Sequence, residues 1–319
     1  MCGRFTLTEV DPDLVAQTFS LESAPELPPR FNIAPTQNVA VIVRDVDSGR
    51  NQFMLMRWGL IPHWSKDPSI GSRMINARGE TVHEKPSFRT PLKRQRCLVV
   101  ADGFYEWQKQ DSGPKVPMYI TLKGHALFAF AGLWDRWIEP ESGDPLFTCT
   151  IITTAPNELV APIHNRMPVI LARESYDHWL NPSYTDPVQL LPLLTAYPAD
   201  EMDYYPVSRK VNKPINDGPD LIERAADPGD PPSGPATSAP CRAQHKPEIL
   251  WRGRIFPMLS DQDIDTIRAL YERTAARVAT NDAIQQAIAD IDWFSRSVEL
   301  LNAVVQRKCQ RLSRLVGGG

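Results

Sequence analysis

The residue after the initiator methionine could do chemistry that no internal residue can. Cys2 follows Met1 directly, and its side chain is small enough for methionine removal, so we expect Cys2 to become the new N-terminus. A free α-amine and a thiol would then share one carbon, with ordinary pKa values of about 7.7–8.0 and about 8.5. Such a 1,2-aminothiol condenses with an aldehyde: the amine forms an imine, the thiol adds to it, and a thiazolidine ring closes. Alternatively, Cys2 is an ordinary small residue at a frayed chain end.

A second candidate is a carboxylate in an aromatic stretch. Glu106 stands beside Phe104, Tyr105 and Trp107. Burial among aromatic rings would raise its pKa and make it a proton donor or acceptor near neutral pH. Side chains alternate along a strand, however, so the neighbours could point the other way and leave an exposed glutamate. The pattern alone leaves both interpretations open.

Three further polar residues suit proton transfer or substrate positioning. His164 lies in a polar turn between a predicted short helix and a strand, and histidine titrates near neutral pH. A lone histidine is more often structural. Asn76 and Arg78 fall in a polar segment, where functional residues tend to occur, but the signal is weak.

Arginines alternate with aromatic residues along the same part of the chain. Guanidinium groups bind phosphate, and flat rings stack on bases at about 1–3 kcal/mol per base, so the combination suits single-stranded nucleic acid. It is also typical of a core capped by arginines, which composition alone favours. The residues concerned are Arg4, Arg57, Arg78, Arg89, Arg166, Trp58, Trp64, Phe104 and Trp107.

Composition excludes several classes of protein. The 319 residues carry a formal net charge of -3, so any nucleic-acid binding must come from a local basic groove. The 5 cysteines form no C-x-x-C pair and the histidines show no metal-ligand spacing, so we predict no disulfide framework, metal or cofactor. No secretory leader and no run of about 18 apolar residues is present, and we expect a reducing, cytoplasmic setting without membrane contact.

Many short strands with scattered helices, and no βαβ alternation, predict an α+β domain. We expect an antiparallel sheet or partly closed β-barrel core with peripheral helices. Residues 74–81 have only a weak structural pattern. The predicted helices are Thr8–Phe19, Pro156–Val160 and Arg173–Leu180, and the main predicted strands are Val39–Val43, Phe53–Leu60, Cys97–Val100, Met118–Leu122, Leu127–Leu133, Phe147–Thr153 and Val169–Leu171.

Composition changes twice along the chain and predicts three parts. Residues 1–224 carry the motifs and form the main domain. Residues 225–246 are rich in Pro, Gly and Ala and indicate a flexible linker. Residues 247–319 form a C-terminal α-helical extension, with helices starting near Ser260 and Asn281. The extension either packs on the main domain as a helical hairpin or mediates oligomerisation or partner docking.

Several separate motifs together resemble the SRAP family, the SOS-response-associated peptidase or abasic-site processing proteins. Their order and spacing match over about residues 2–222. The motifs are Cys2 to Phe5, Asn32 to Pro35, Arg57 to Pro62, Asn76 to Thr81, Gly103 to Trp107, Ala131 to Trp134, His164 to Pro168, and Val207-Ser208.

The resemblance implies an enzyme that binds single-stranded DNA, covalently cross-links to abasic sites and associates with the nucleoid when on DNA. It implies catalytic roles for Cys2 as nucleophile, Asn76 in positioning, Glu106 in proton transfer and His164 as the second acid/base. Cross-link reversal, self-release of Met1 and lyase activity are further expectations. The implied DNA contacts are Pro35, Trp64, Arg78, Trp107 and Arg166.

Two readings from other classes compete with this one. Class II glutamine amidotransferases also begin Met-Cys-Gly and use the N-terminal thiol on glutamine, but they usually continue with Ile, and their downstream Asn-Gly and Gly-Asp elements have no counterpart here. The other reading is a single-stranded DNA-binding module without chemistry.

Overall fold

The computed structural model describes residues 2–225, 248–251 and 254–257. Its strands are, in chain order, β1 (Phe5–Leu7), β2 (Arg30–Ile33), β3 (Asn38–Arg44), β4 (Asn51–Trp58), β5 (Asn76–Arg78), β6 (Arg96–Ala101), β7 (Gly103–Gln108), β8 (Val116–Leu122), β9 (Phe128–Ile138), β10 (Pro145–Thr154), β11 (Met167–Pro168), β12 (Ile170–Leu171), β13 (Met202–Pro206), β14 (Glu248–Trp251) and β15 (Arg254–Pro257). The α-helices are α1 (Pro12–Phe19), α2 (Pro86–Arg94), α3 (Tyr176–Leu180) and α4 (Pro187–Leu190), and short 3-10 turns join several elements.

The larger sheet closes on itself. Its order is β11-β10-β4-β3-β6-β9-β12, and β10 also pairs with β9, so that β10, β4, β3, β6 and β9 form a closed ring. Most of its pairs are antiparallel, but β10 runs parallel to both β4 and β5. The predicted α+β class with a barrel-like core is confirmed, and the parallel pairs are an addition to it.

A five-stranded antiparallel sheet carries the N-terminus. Its order is β13-β8-β7-β1-β2, so β1 lies between β7 and β2. Phe5 on β1 packs edge-on against Trp58 and Phe130 of the larger sheet, with ring centroids 5.1 and 5.7 Å apart. This aromatic contact joins the two sheets directly below the N-terminus and makes them one core.

Helix α1 begins later than the sequence pattern predicts. Asp11 is the N-cap, its carboxylate accepts from the amide groups of Asp13 and Leu14, and Pro12 takes the first helical position. Thr8 is excluded from the helix because its amide donates to Asp102 instead. The predicted helix at Arg173–Leu180 is confirmed as a 3-10 turn followed by α3.

The predicted helix at Pro156–Val160 is wrong. The segment forms hydrogen-bonded turns, in which Asn157 caps Val160 at 2.9 Å. A helix cannot continue there because Pro162 has no amide hydrogen to donate. The weakly patterned segment 74–81 contains β5, which is ordered by pairing with β10 rather than by its own sequence.

The second unit of the chain, Thr237–Gly319, has one described feature, the antiparallel hairpin of β14 and β15. The sequence pattern did not predict these strands. The helices predicted near Ser260 and Asn281 lie outside the described residues, as does the linker from residue 226 onward. In the part of the chain that the structure describes, no helix has the length and apolar character needed to cross a membrane.

Candidate active site

Strand β1 carries Cys2 into the protein and is anchored by a buried carboxylate. Asp102 accepts hydrogen bonds from the Thr6 hydroxyl at 2.5 Å, from the Thr8 amide and hydroxyl at 2.5 and 2.7 Å, and from the Glu9 amide at 2.8 Å. Asp102 is itself 3% exposed. These bonds fix the position from which the first residues extend.

Cys2 is fully buried and joins the main hydrophobic core. The amide of Tyr105 donates to the Arg4 carbonyl at 3.0 Å, which continues the β1–β7 ladder toward the N-terminus. Burial, followed by the negative charge of Glu106, raises the pKa of the Cys2 thiol well above its ordinary value. The thiol is therefore protonated in the resting site.

Asn76 reaches the same place from the other sheet. It lies on β5, opposite Ile151 of β10, and its Nδ2 donates to the Cys2 carbonyl at 2.8 Å. Its Oδ1 is buried and accepts no hydrogen bond from any described residue. A buried acceptor without a donor is costly, so this oxygen is ready to accept from a group that enters the site.

Glu106 is buried, 2% exposed, although not because aromatic residues surround it. Phe104 lies on its face of β7 in the main core, whereas Tyr105 and Trp107 belong to a separate cluster on the other face. Packing between the sheets therefore desolvates the carboxyl. Burial raises its pKa, and the nearby His164 acts in the opposite direction.

The turn before β11 presents His164. The Arg166 amide donates to Nδ1 at 3.1 Å, and the Arg166 carbonyl lies 3.2 Å from the same nitrogen. Since a backbone hydrogen has a fixed direction, we assign Nδ1 as the acceptor, which puts the proton of neutral His164 on Nε2. Nε2 is then the ring nitrogen that can donate a proton.

The Arg166 side chain is held inside the protein. Its guanidinium pairs with Glu80 through two bonds, 2.6 and 2.9 Å, and Nη2 also donates to the Thr153 carbonyl at 2.6 Å. This arginine, predicted from the resemblance as a DNA contact, therefore has most of its donors engaged within the chain.

The other predicted DNA contacts range from exposed to half-buried. Arg78 is exposed at the end of β5, and Trp64 is 53% exposed. Pro35 is half-buried. Trp107 is half-buried too, and its indole Nε1 donates to Asn212 at 2.7 Å.

Arg4 and Asn32 form a hydrogen-bond network next to the site, and the sequence pattern did not predict it. Arg4 donates to Asn32 at 2.8 Å and to the Val211 carbonyl at 2.7 Å, and its guanidinium lies 5.9 Å from the Trp107 ring centroid. Asn32 donates in turn to the Asn216 carbonyl at 2.7 Å. Arg4 and Asn32 belong to two of the sequence motifs given above, and membership of those motifs is the signal by which they could have been found.

Among residues 2–225, 248–251 and 254–257, no three His, Cys, Asp or Glu side chains are placed to hold a metal ion. A cavity of about 690 Å³ lies between α1, the β8–β9 turn and residues 197–201, and none of the predicted site residues lines it. Cys97 and Cys149 are free and buried, whereas Cys241 and Cys309 lie outside the described residues.

The chain is similar to known proteins over its described domain. The family model described as SOS response associated peptidase (SRAP) matches residues 1–214. Abasic site processing protein YoqW of Bacillus subtilis is 53% identical over 225 residues, which cover 70% of this chain and 99% of that protein. Abasic site processing protein HMCES of Gallus gallus is 36% identical over 223 residues, 61% of this chain and 66% of that one.

Solved structures agree with the sequence comparisons. A crystal structure of a Bacteroides thetaiotaomicron protein superposes with a TM-score of 0.60 at 29% identity and covers 70% of this chain and 100% of its own. The matched residues include both sheets and the four predicted catalytic positions. The chain belongs to the SOS response associated peptidase family.

Proposed function

We propose that this protein processes abasic sites in single-stranded DNA by cross-linking Cys2 to the C1′ aldehyde as a thiazolidine. The observation that carries the proposal is the meeting of Cys2, which precedes β1, with Asn76 of β5 and Glu106 of β7. Asn76 binds the Cys2 carbonyl, and Glu106 is close enough for its charge to affect the thiol. The names of the curated relatives, abasic site processing proteins, support the substrate.

Opening of the sugar is the first chemical step. An abasic deoxyribose is mostly a closed hemiacetal, and its C1′ aldehyde forms when the ring C1′–O4′ bond breaks. Burial raises the pKa of Glu106 and so favours the protonated carboxyl, which can give a proton to O4′ while the C1′ hydroxyl loses one. His164 carries its proton on Nε2 and is a second donor for the oxygen.

The amine attacks before the thiol. With Met1 removed, the Cys2 α-amine adds to C1′, and loss of one water gives the imine. The orphaned Oδ1 of Asn76 is the acceptor we assign to this amine. The thiol is neutral in the buried site, so it adds only once the imine has formed: sulfur bonds to C1′, and the S–H proton passes to nitrogen through Glu106 or His164.

Ring closure is favoured by geometry. The thiol and the imine belong to one residue, so the second addition is intramolecular, and well-oriented cases reach effective molarities of about 10⁵ M or more. Closure also removes the imine that would otherwise promote β-elimination and strand cleavage. The same groups, run in reverse, would release the DNA, and the acid/base pair would serve release of Met1.

The DNA path follows exposed basic and aromatic groups. Arg78 offers an exposed guanidinium for phosphate, and Trp64 offers an exposed ring for stacking beside the lesion. Pro35 and Trp107 add partly exposed apolar surface. Arg166 has few donors left for a phosphate, because Glu80 and Thr153 take up most of them.

The test is a denaturing gel of protein with a native N-terminus and a single-stranded oligonucleotide containing one abasic site. We expect a heat-stable shifted band that is absent with intact DNA and absent for Cys2→Ala. Any tag belongs at the C-terminus, because an N-terminal tag would block the amine. A Cys2→Ala protein that still gives the band would refute the proposal, and release of glutamate from glutamine would favour the amidotransferase reading.

A further inference from the structure

Glu80 lies in the site without a part in the proposed reaction. It follows β5 by two residues and occupies the motif that also contains Asn76 and Arg78. We propose that Glu80 is a positioning residue that acts through Arg166 to hold His164 in one tautomer and orientation. This inference rests on the proposed function for its consequence, although its structural part can be tested without DNA.

The first link is the pair of Glu80 with Arg166. Nη1 of Arg166 lies 2.6 Å from Oε1, and Nη2 lies 2.9 Å from Oε2, which is the two-pronged arrangement of a guanidinium and a carboxylate. Such a pair fixes the plane of the guanidinium, whereas a single hydrogen bond leaves it free to rotate. Glu80 therefore fixes the orientation of the Arg166 guanidinium plane.

The second link is the anchoring of Arg166 on β10. Nη2 also donates to the Thr153 carbonyl at 2.6 Å and lies 3.2 Å from its hydroxyl. Thr153 pairs with Pro168 in the β10–β11 ladder and with Arg78 in the β10–β5 ladder. The guanidinium thus ties the turn that precedes β11 to the strand that neighbours β5.

The third link is the main chain of Arg166, whose amide donates to His164 Nδ1 at 3.1 Å. The direction of this N–H depends on the backbone of Arg166, which the side-chain anchors hold in place. If the anchors were lost, the amide could turn away and Nδ1 could take the proton. Glu80 therefore controls the His164 tautomer through one intervening residue, Arg166.

The local fold brings Glu80 within hydrogen-bonding distance of Arg166. Gly79 packs so closely on β10 that a Cβ there would lie 3.3 Å from the Thr153 carbonyl oxygen, and this close approach brings the next residue to Arg166. The Glu80 side chain remains 52% exposed, so replacing it leaves no buried cavity. A change at Glu80 should therefore alter the site without unfolding the domain.

A different role for Glu80 predicts a different effect on the cross-linking rate. If the carboxylate only competed with DNA phosphate for Arg166, its removal would free the guanidinium, tighten DNA binding and leave or raise the rate of cross-linking. A positioning role instead predicts slower cross-linking at undiminished DNA affinity, because one negative charge is lost from the DNA-facing surface while the acid/base group becomes misplaced.

The experiment compares the full-length variants Glu80→Ala and Glu80→Gln with wild type. Glu84→Gln is the matched control, since Glu84 lies in the same segment and pairs with His83 at 3.5 Å rather than with Arg166. Imidazole ¹⁵N NMR, with His164→Gln for assignment, reports the tautomer in free protein. We expect wild type and Glu84→Gln to show a proton on Nε2, Glu80→Ala to show mixed tautomers, and Glu80→Gln to lie between them.

Single-turnover cross-linking and binding to DNA with a non-reactive tetrahydrofuran site complete the test. We expect Glu80→Ala to slow the reaction at least about tenfold, Glu80→Gln to slow it less, and neither to weaken binding. An unchanged His164 tautomer in Glu80→Ala, or a rate equal to that of Glu84→Gln, would overturn the inference. If wild type formed no adduct, the proposed function would fail, and the NMR comparison would still decide whether Glu80 positions His164.

Discussion

Glu106 shows how one side chain acquires its chemistry from the fold rather than from its neighbours in sequence. Its flanking residues Tyr105 and Trp107 face the opposite side of β7, as strand alternation requires. The carboxyl is desolvated by the second sheet, which packs over the face that it shares with Phe104. A buried acid beside a buried thiol is what proton transfer to and from the imine needs.

The raised pKa of Glu106 predicts a pH-dependent stability. The folded state holds the proton more tightly than the unfolded chain, in which a glutamate titrates at about 4.3. The stabilising contribution is therefore full below that value and is lost as pH rises through the folded pKa. We expect Glu106→Gln to match wild type in free energy of unfolding at pH 4 and to exceed it at pH 8, as measured by urea unfolding.

Glu106→Gln should also form the DNA adduct far more slowly than wild type, so the gain of stability and the loss of cross-linking activity would occur together. Glu84→Gln, an exposed change of the same kind, should show neither effect. A Glu106→Gln protein whose stability advantage did not increase with pH would contradict the burial argument.

Arg78 is expected to supply affinity rather than chemistry. Arg78 is exposed and lies two residues after Asn76 on β5, so Arg78→Ala should weaken binding to intact single-stranded DNA and lower the slope of log affinity against log salt by about 0.7. The cross-linking rate at saturating DNA should change little. Fluorescence anisotropy at several salt concentrations measures the slope.

Arg136→Ala provides the control for this prediction. Arg136 is an exposed arginine on β9, opposite Phe147 of β10, and it has no place in the proposed site. If Arg78→Ala and Arg136→Ala lowered the slope of log affinity against log salt equally, Arg78 would contribute only general positive charge.

At the scale of elements, the position of β1 determines where Cys2 lies. The strand has three residues and no sequence pattern strong enough to fix its place. Asp102 supplies the constraint by binding Thr6, Thr8 and Glu9 at the far end of the strand. The N-terminal segment is thus held by a carboxylate that is remote in sequence.

Asp102→Ala should therefore reduce both stability and activity. Removing the carboxylate takes the acceptor away from the partly buried amide and hydroxyl of Thr8, at about 1–3 kcal/mol for each group, whereas the Thr6 hydroxyl keeps the Gly103 carbonyl and the Tyr119 hydroxyl as partners. We therefore expect the free energy of unfolding to fall by about 3 kcal/mol. Cross-linking should slow because β1 no longer holds Cys2 in place. Chemical denaturation and the gel assay measure the two effects, and Asp111→Ala, an exposed aspartate change, should produce neither.

Local patterns predicted the elements that carry their own signals. The β-branched run at Val39–Val43 lies inside β3, and the apolar run at Cys97–Val100 lies inside β6. The start of α1, the turns after Pro156 and the existence of β5 were not predictable in this way. They depend on Asp102, on Pro162 and on β10, which are distant partners or single residues that a periodicity does not register.

In the candidate site too, the sequence identified single residues but not the contacts that depend on distant partners. The motifs named Cys2, Asn76, Glu106 and His164, and the structure brings Cys2 and Asn76 into contact. Their catalytic roles remain predictions. The pair of Glu80 with Arg166 could not be read from sequence, because an ion pair between residues 80 and 166 depends on how β5 and β11 meet β10.

At the scale of the whole molecule, the predicted chemistry lies within the first part of the chain. All site residues fall within residues 2–225, and the last of these, Ala225, donates to the Pro206 carbonyl at 2.9 Å. We expect a chain that ends after Ala225 to cross-link abasic DNA within about twofold of the full-length rate, because no part of the proposed chemistry needs residue 226 or beyond. A truncated chain that is folded by circular dichroism but inactive would show that the C-terminal part takes part in the reaction.

The measurement that tests the central claim most directly is the intact mass of the adduct. The account predicts the mass of the chain without Met1, plus the abasic oligonucleotide, minus one water, in wild type without any reductant. Cys2→Ser keeps the amine but lacks sulfur, so its imine should survive denaturation only after borohydride reduction. An adduct that retains Met1, or a Cys2→Ser adduct as stable as wild type without reduction, would contradict a thiazolidine at Cys2.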